Sequence, residues 1–183
     1  MTTVLDAVKV ELTISREAIV QEAMLMPEQS FRDRPAADVW SASDIFEHLA
    51  DVERRIAGMI AKSIEGVPDA ERLPDIDAER VIASVEQLMR THASEPIKSS
   101  YVPMHSMDRR QAFDELDRTR AQMFHVVDAA HGIDLTQIRR PHPVLGELDL
   151  YQFLVFVARH EDRHRAQLRR LRGQLDVASP TAG

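Results

Sequence analysis

A chain of 183 residues, 44% of them hydrophobic, is long enough to bury the core of one domain. Its formal net charge of −7 argues against a general nucleic-acid binder, which needs a basic surface for phosphates. The absence of cysteine excludes disulfides, thiolate metal sites and cysteine nucleophiles, so any transition metal must be held by nitrogen and oxygen.

The spacing of apolar residues predicts five helices and no convincing strand. The first covers about Val4 to Met24, with a mediocre stripe through Val8, Leu12 or Ser15, Ile19 and Ala23, and ends at Pro27. The second has the clearest start. Ser41 is an N-cap with Asp44 three residues on, an aspartate variant of the capping box, and Trp40 is placed to staple against Ile45. Its core stripe runs through Ile45, His48, Val52, Ile56 and Met59, and Gly66 and Pro68 mark the exit.

A third helix is expected from about Asp77 to His92. Ala93 to His105, with Pro96 and Pro103, reads as a loop that either crosses the surface or covers a cleft. The fourth helix spans about Ser106 to Ala130 with Phe113, Leu116, Met123 and Val127 inward. Pro141-His142-Pro143 forces an extended turn. The fifth helix starts between Gly146 and Leu150 and runs to about Arg172, with Gly173 as its stop. The fold class that follows is all-α, a helical bundle of long amphipathic helices joined by short links. It forms a single domain over 1–175, followed by a flexible tail over 176–183. With no secretory signal at Met1–Asp6 and no apolar run near the roughly 20 residues of a membrane span, a cytoplasmic protein is expected.

Function is read from the histidines. The last stripe, Leu150, Phe153, Val157, His160, His164, Leu168 and Leu171, puts two imidazoles four residues apart on a core-facing side. Buried polar rings need a partner, and converging imidazoles suit zinc, nickel, copper or iron. His48 occupies the equivalent side of the second helix and completes a candidate set of three, which leaves coordination positions open. The metal-free alternative is a polar knot hydrogen-bonded to Gln167, Asp51 or water. His92, His125, His131 and His142 read as ordinary surface residues, and His105 is a lesser candidate at the bundle mouth. Arg163, Arg165, Arg169, Arg170 and Arg172 read mostly as the solvated face of the last helix.

His160-Glu161-Asp162-Arg163-His164 also fits the zinc-protease pattern, in which Glu161 would be the general base, but the chain lacks the sheet and third-ligand helix of such enzymes. Glu47, Asp51 and Glu161 are the carboxylates near the histidines in sequence, each with three readings: a base, a group orienting a histidine, or a solvated charge.

The segment Val39-Trp40-Ser41 through His48 to Glu53, with the later stretch from Pro141 to Leu150 and His160-x-x-x-His164-x-x-Gln167-Leu168, resembles the DinB-like proteins. These include the YfiT metal-dependent hydrolases and the bacillithiol and mycothiol transferases. The resemblance implies an up-and-down four-helix bundle with an additional helix, and a divalent metal (zinc, nickel or iron) on His48, His160 and His164. It also implies a low-molecular-weight thiol as a possible cofactor, a small-molecule substrate, and often a homodimer. The activity it suggests is thiol S-transfer or hydrolysis, with a non-catalytic metal-binding or stress-response bundle as the alternative.

Overall fold

The computed structural model describes residues 3–92, 103 and 106–178; most of the 93–105 loop, including His105, and the end of the expected tail lie outside them. Among the described residues, five helices carry the fold: α1 (Val4–Met24), α2 (Ala42–Ile64), α3 (Ala78–Thr91), α4 (Arg109–Ala129) and α5 (Leu150–Ala178). Their starts are set by side chains that satisfy the first free amides. Thr3, Ser41 and Asp108 each make a capping box, with Asp6, Asp44 and Gln111 respectively. The box read at Ser41 is tightened further, because Arg34 holds the Asp44 carboxylate through two hydrogen bonds of 2.8 Å.

Contacts between side chains give the directions. Arg16 meets Glu161 and Glu22 meets Arg169, so α1 and α5 run parallel. Phe46 meets Phe113 and Glu53 meets Arg120, so α2 and α4 run parallel to one another. Arg16 and Arg120 each donate to a backbone carbonyl of the other's helix, Leu116 and Leu12, which sets α4 antiparallel to α1. The chain therefore goes up, down, up, down, up, and α3 is the return stroke. It packs outside the four-helix core, against α5 and α1.

Two sequence expectations are corrected. Residues around Pro141 form a two-stranded antiparallel hairpin, β1 (Arg139–His142) and β2 (Gly146–Asp149), with His142 opposite Gly146. Gly146 has φ of 78°, the left-handed conformation that such a short connection requires. Gly173 does not stop α5, which continues to Ala178. A glycine stops a helix by turning left-handed, and Gly173 is not among the positive-φ glycines.

The buried apolar residues fall into two clusters. One gathers Leu5 to Leu12, Ile56 to Ile64, Met123 to Ala130 and Leu150 to Ala158. The other gathers Ile19 to Met26, Phe31, Ala42 to Ala50, Ala112, Leu116, Leu168 and Leu171. Between them, every core helix contributes buried polar groups: Ser15 and Arg16 on α1, Glu53 on α2, Thr119 and Arg120 on α4, and His160, Glu161 and His164 on α5. A polar belt thus divides the core.

Candidate metal centre

One part of the belt is the histidine set. His48 lies two turns into α2, so the Ser41 cap that fixes the start of the helix also fixes the height of the ring. His160 and His164 lie on successive turns of α5, and their rings meet edge to face with centroids 4.5 Å apart. The Nε2 atom of His160 stands 3.4 Å from that of His48 and 3.1 Å from that of His164. One nitrogen from each ring lies within 4.8 Å of the others.

These spacings fit a bound ion. Two donors at about 2.0–2.1 Å from one metal, subtending between a right angle and a tetrahedral angle, stand roughly 2.9–3.4 Å apart. Protonation favours the same reading. Burial pushes the His48 pKa down to about 4 and that of His164 down to about 3. His160 is also pushed well down, by burial first and then by the neighbouring His164 and His48 rings. At neutral pH the three imidazoles are therefore neutral, the form that ligates metals. The Gln167 side-chain oxygen stands 2.9 Å from Nδ1 of His164. Nδ1 thus donates its proton there, and the Nε2 lone pair is left pointing at the other rings.

Aromatic rings pack around the imidazoles. Trp40, expected as a staple for Ile45, lies parallel to the His164 ring at 6.3 Å and beside His48 at 5.1 Å. Phe156 stacks on His160 at 5.2 Å. His142, read from the sequence as a surface residue, is half-buried with its ring 4.5 Å from Phe156. Its Nδ1 accepts hydrogen bonds from the amides of Val144 and Leu145, at 3.2 and 3.0 Å, so this ring also holds the hairpin turn. The one sequence signal for it was its confinement between two prolines. His125 and His131 are exposed, as expected. His92 closes α3 through its own helix, with Nδ1 2.8 Å from the Leu88 carbonyl oxygen.

The carboxylates separate by role. Glu161 is only 1% exposed and turns away from the imidazoles, because successive helical residues point about 100° apart. It accepts hydrogen bonds from Arg16 and Ser15 of α1 and from Arg120 of α4. The protease reading therefore fails, since the glutamate that would activate water is locked in ion pairs. Asp51 pairs with Arg55 at 2.9 Å on its own helix, while its charge favours protonation of His48. Glu47 is buried beside His48 in sequence. Of the basic residues on α5, Arg169 and Arg172 bind the buried Glu22 at 2.8 and 3.1 Å. That part of the cluster ties α5 to α1 and is not merely a solvated face.

The geometry has counterparts in known proteins. The fold is similar to that in the crystal structure of TT2238, a four-helix bundle protein, with a TM-score of 0.54 and 20% identity, over 90% of this chain and 96% of that one. The uncharacterized protein YuaE of Bacillus subtilis (strain 168) is 21% identical over 154 residues, which is 84% of this chain and 90% of that protein. The family model described as the DinB superfamily matches residues 11–168. The chain belongs to the DinB superfamily.

Proposed function

We propose that this protein is a metal-dependent enzyme of the thiol S-transferase or hydrolase type, acting on a small molecule. The observation that carries the reading is the convergence of three neutral imidazoles, with Nε2 separations of 3.4 and 3.1 Å, inside a bundle core. His48, His160 and His164 would hold a divalent transition ion. When bound, such an ion supplies Lewis acidity that lowers the pKa of a thiol or water. Three protein ligands leave at least one position for that molecule, as catalytic rather than structural sites do.

The remaining roles fall to the chain itself. Gln167 fixes the tautomer and orientation of His164. Trp40 and Phe156 keep the rings in place and restrict water around them. Among the described residues, no helix is long and apolar enough to cross a membrane. The test is elemental analysis of tag-free protein, followed by assays of thiol transfer to electrophiles and of hydrolysis on the metal-loaded form. About one equivalent of metal and a turnover lost in His164→Ala support the reading. One equivalent of metal with no turnover of either kind would favour the non-catalytic bundle.

A further inference from the structure

The second part of the belt is a closed ring of charges. Arg16, Glu53, Arg120 and Glu161 come one each from α1, α2, α4 and α5, and each is at most 7% exposed. Each arginine touches both glutamates. Arg16 donates to Glu161 at 2.7 Å and to Glu53 at 2.5 Å; Arg120 donates to Glu53 at 2.6 Å and to Glu161 at 3.0 Å. Ser15 and Thr119 supply further donors to the carboxylates, and the spare guanidinium nitrogens donate to the carbonyls of Leu116 and Leu12. Every group is satisfied and the charges cancel.

Such a ring is a poor device for stability alone, because apolar residues of similar volume hold a core at least as well as buried ion pairs. What it does provide is a single permitted alignment. A slip of one residue moves a helix by about 1.5 Å and turns it by about 100°, and the ring cannot survive either. The two glutamates sit on the two helices that carry the histidines. Glu161 follows His160 directly, and Glu53 lies five residues beyond His48.

We propose that the Arg16–Glu53–Arg120–Glu161 ring is a positioning device for the histidine set: it fixes the rotation and register of α5 against α2, so that the three Nε2 atoms converge before any ion arrives. This rests on the metal reading above. It makes Glu161 a positioning residue for His160 and His164, and neither a ligand nor a base.

The test is cobalt(II) binding to folded protein at a temperature well below unfolding, read by the dissociation constant and by the visible spectrum of the complex. Glu161→Gln keeps the shape and removes the charge. Ser15→Ala deletes a single hydrogen bond to the same carboxylate and serves if Glu161→Gln does not fold. Val85→Ala, in a buried site on α3, is the control for lost stability without a change in the ring. The expected result is cobalt affinity about 10–100-fold weaker in Glu161→Gln, with an altered spectrum. Ser15→Ala should show a smaller change in the same direction, and Val85→Ala a wild-type constant and spectrum. Wild-type constants and spectra in the ring variants, whatever their unfolding temperatures, would overturn the positioning role and leave the metal site standing. A wild type that takes no cobalt would overturn both.

Discussion

The two parts of the polar belt solve the same physical problem in opposite ways. Both lie between apolar clusters and draw on α2 and α5, the ring wholly buried and the histidine set buried at His160 and His164 and half-buried at His48. The charged ring answers the cost of burial internally, with each carboxylate surrounded by donors and each guanidinium by acceptors. The histidines bring like groups together. Their Nε2 atoms face one another, and the neighbouring rings make protonation of His160 harder. The ring completes itself within the polypeptide, whereas the histidines gather ring nitrogens at one point, an arrangement compatible with the proposed metal site.

The contrast can be broken at several places. The largest effect is expected at the ring. Arg120→Met leaves Glu53 and Glu161 short of a partner, and removing one member of a buried ion pair costs about 3–5 kcal/mol. Urea unfolding should show that loss, and a change under 1 kcal/mol would mean that the ring relaxes easily. The histidine set should behave in the reverse sense and gain from an added partner. Zinc at about 100 times its dissociation constant should stabilise the fold by about 2.7 kcal/mol, visible as a rise in Tm that EDTA reverses.

The third test is pH. The folded-state pKa values of His48 and His164 are depressed to about 4 and about 3, while the unfolded rings titrate near 6.5. Below pH 6.5 the unfolded state binds protons that the folded state refuses, so metal-free stability should fall as pH drops from 6.5 towards 4. Urea midpoints across that range should fall less in a His48→Leu, His164→Leu double variant. An equal fall would place the acid sensitivity elsewhere. The smallest effect is expected for Gln167→Leu, which removes one acceptor from the His164 Nδ1–H and costs about 1 kcal/mol, because the partly exposed position lets water replace it. Its zinc affinity should nonetheless weaken, which isothermal titration can measure.

The histidine set was legible in the sequence because it disturbs a local pattern. His48, His160 and His164 sit where the helical period calls for apolar residues, and the period alone assigns them to the core. The start of α2 was legible for a similar reason, since Ser41 and Asp44 act within three residues of each other. The ring was not legible. Arg16, Glu53 and Arg120 look like ordinary surface charges, and only the folded contacts show that they neutralise one another. Its one trace was the poor stripe of α1 at Ser15, where the apolar pattern gives way to the belt. The hairpin was missed because strand pairing is not written in local periodicity, although Pro141 and Pro143 did signal extended backbone. Gly173 misled because glycine permits a stop without requiring one.

If the three imidazoles form one metal site, each of them is needed to hold the ion. The most direct test is metal content by elemental analysis of tag-free wild type beside His48→Ala, His160→Ala and His164→Ala, all incubated with zinc and desalted. About one equivalent is expected in the wild type, with a loss in each variant. No metal in the wild type, or full occupancy in the variants, would contradict the three-histidine site.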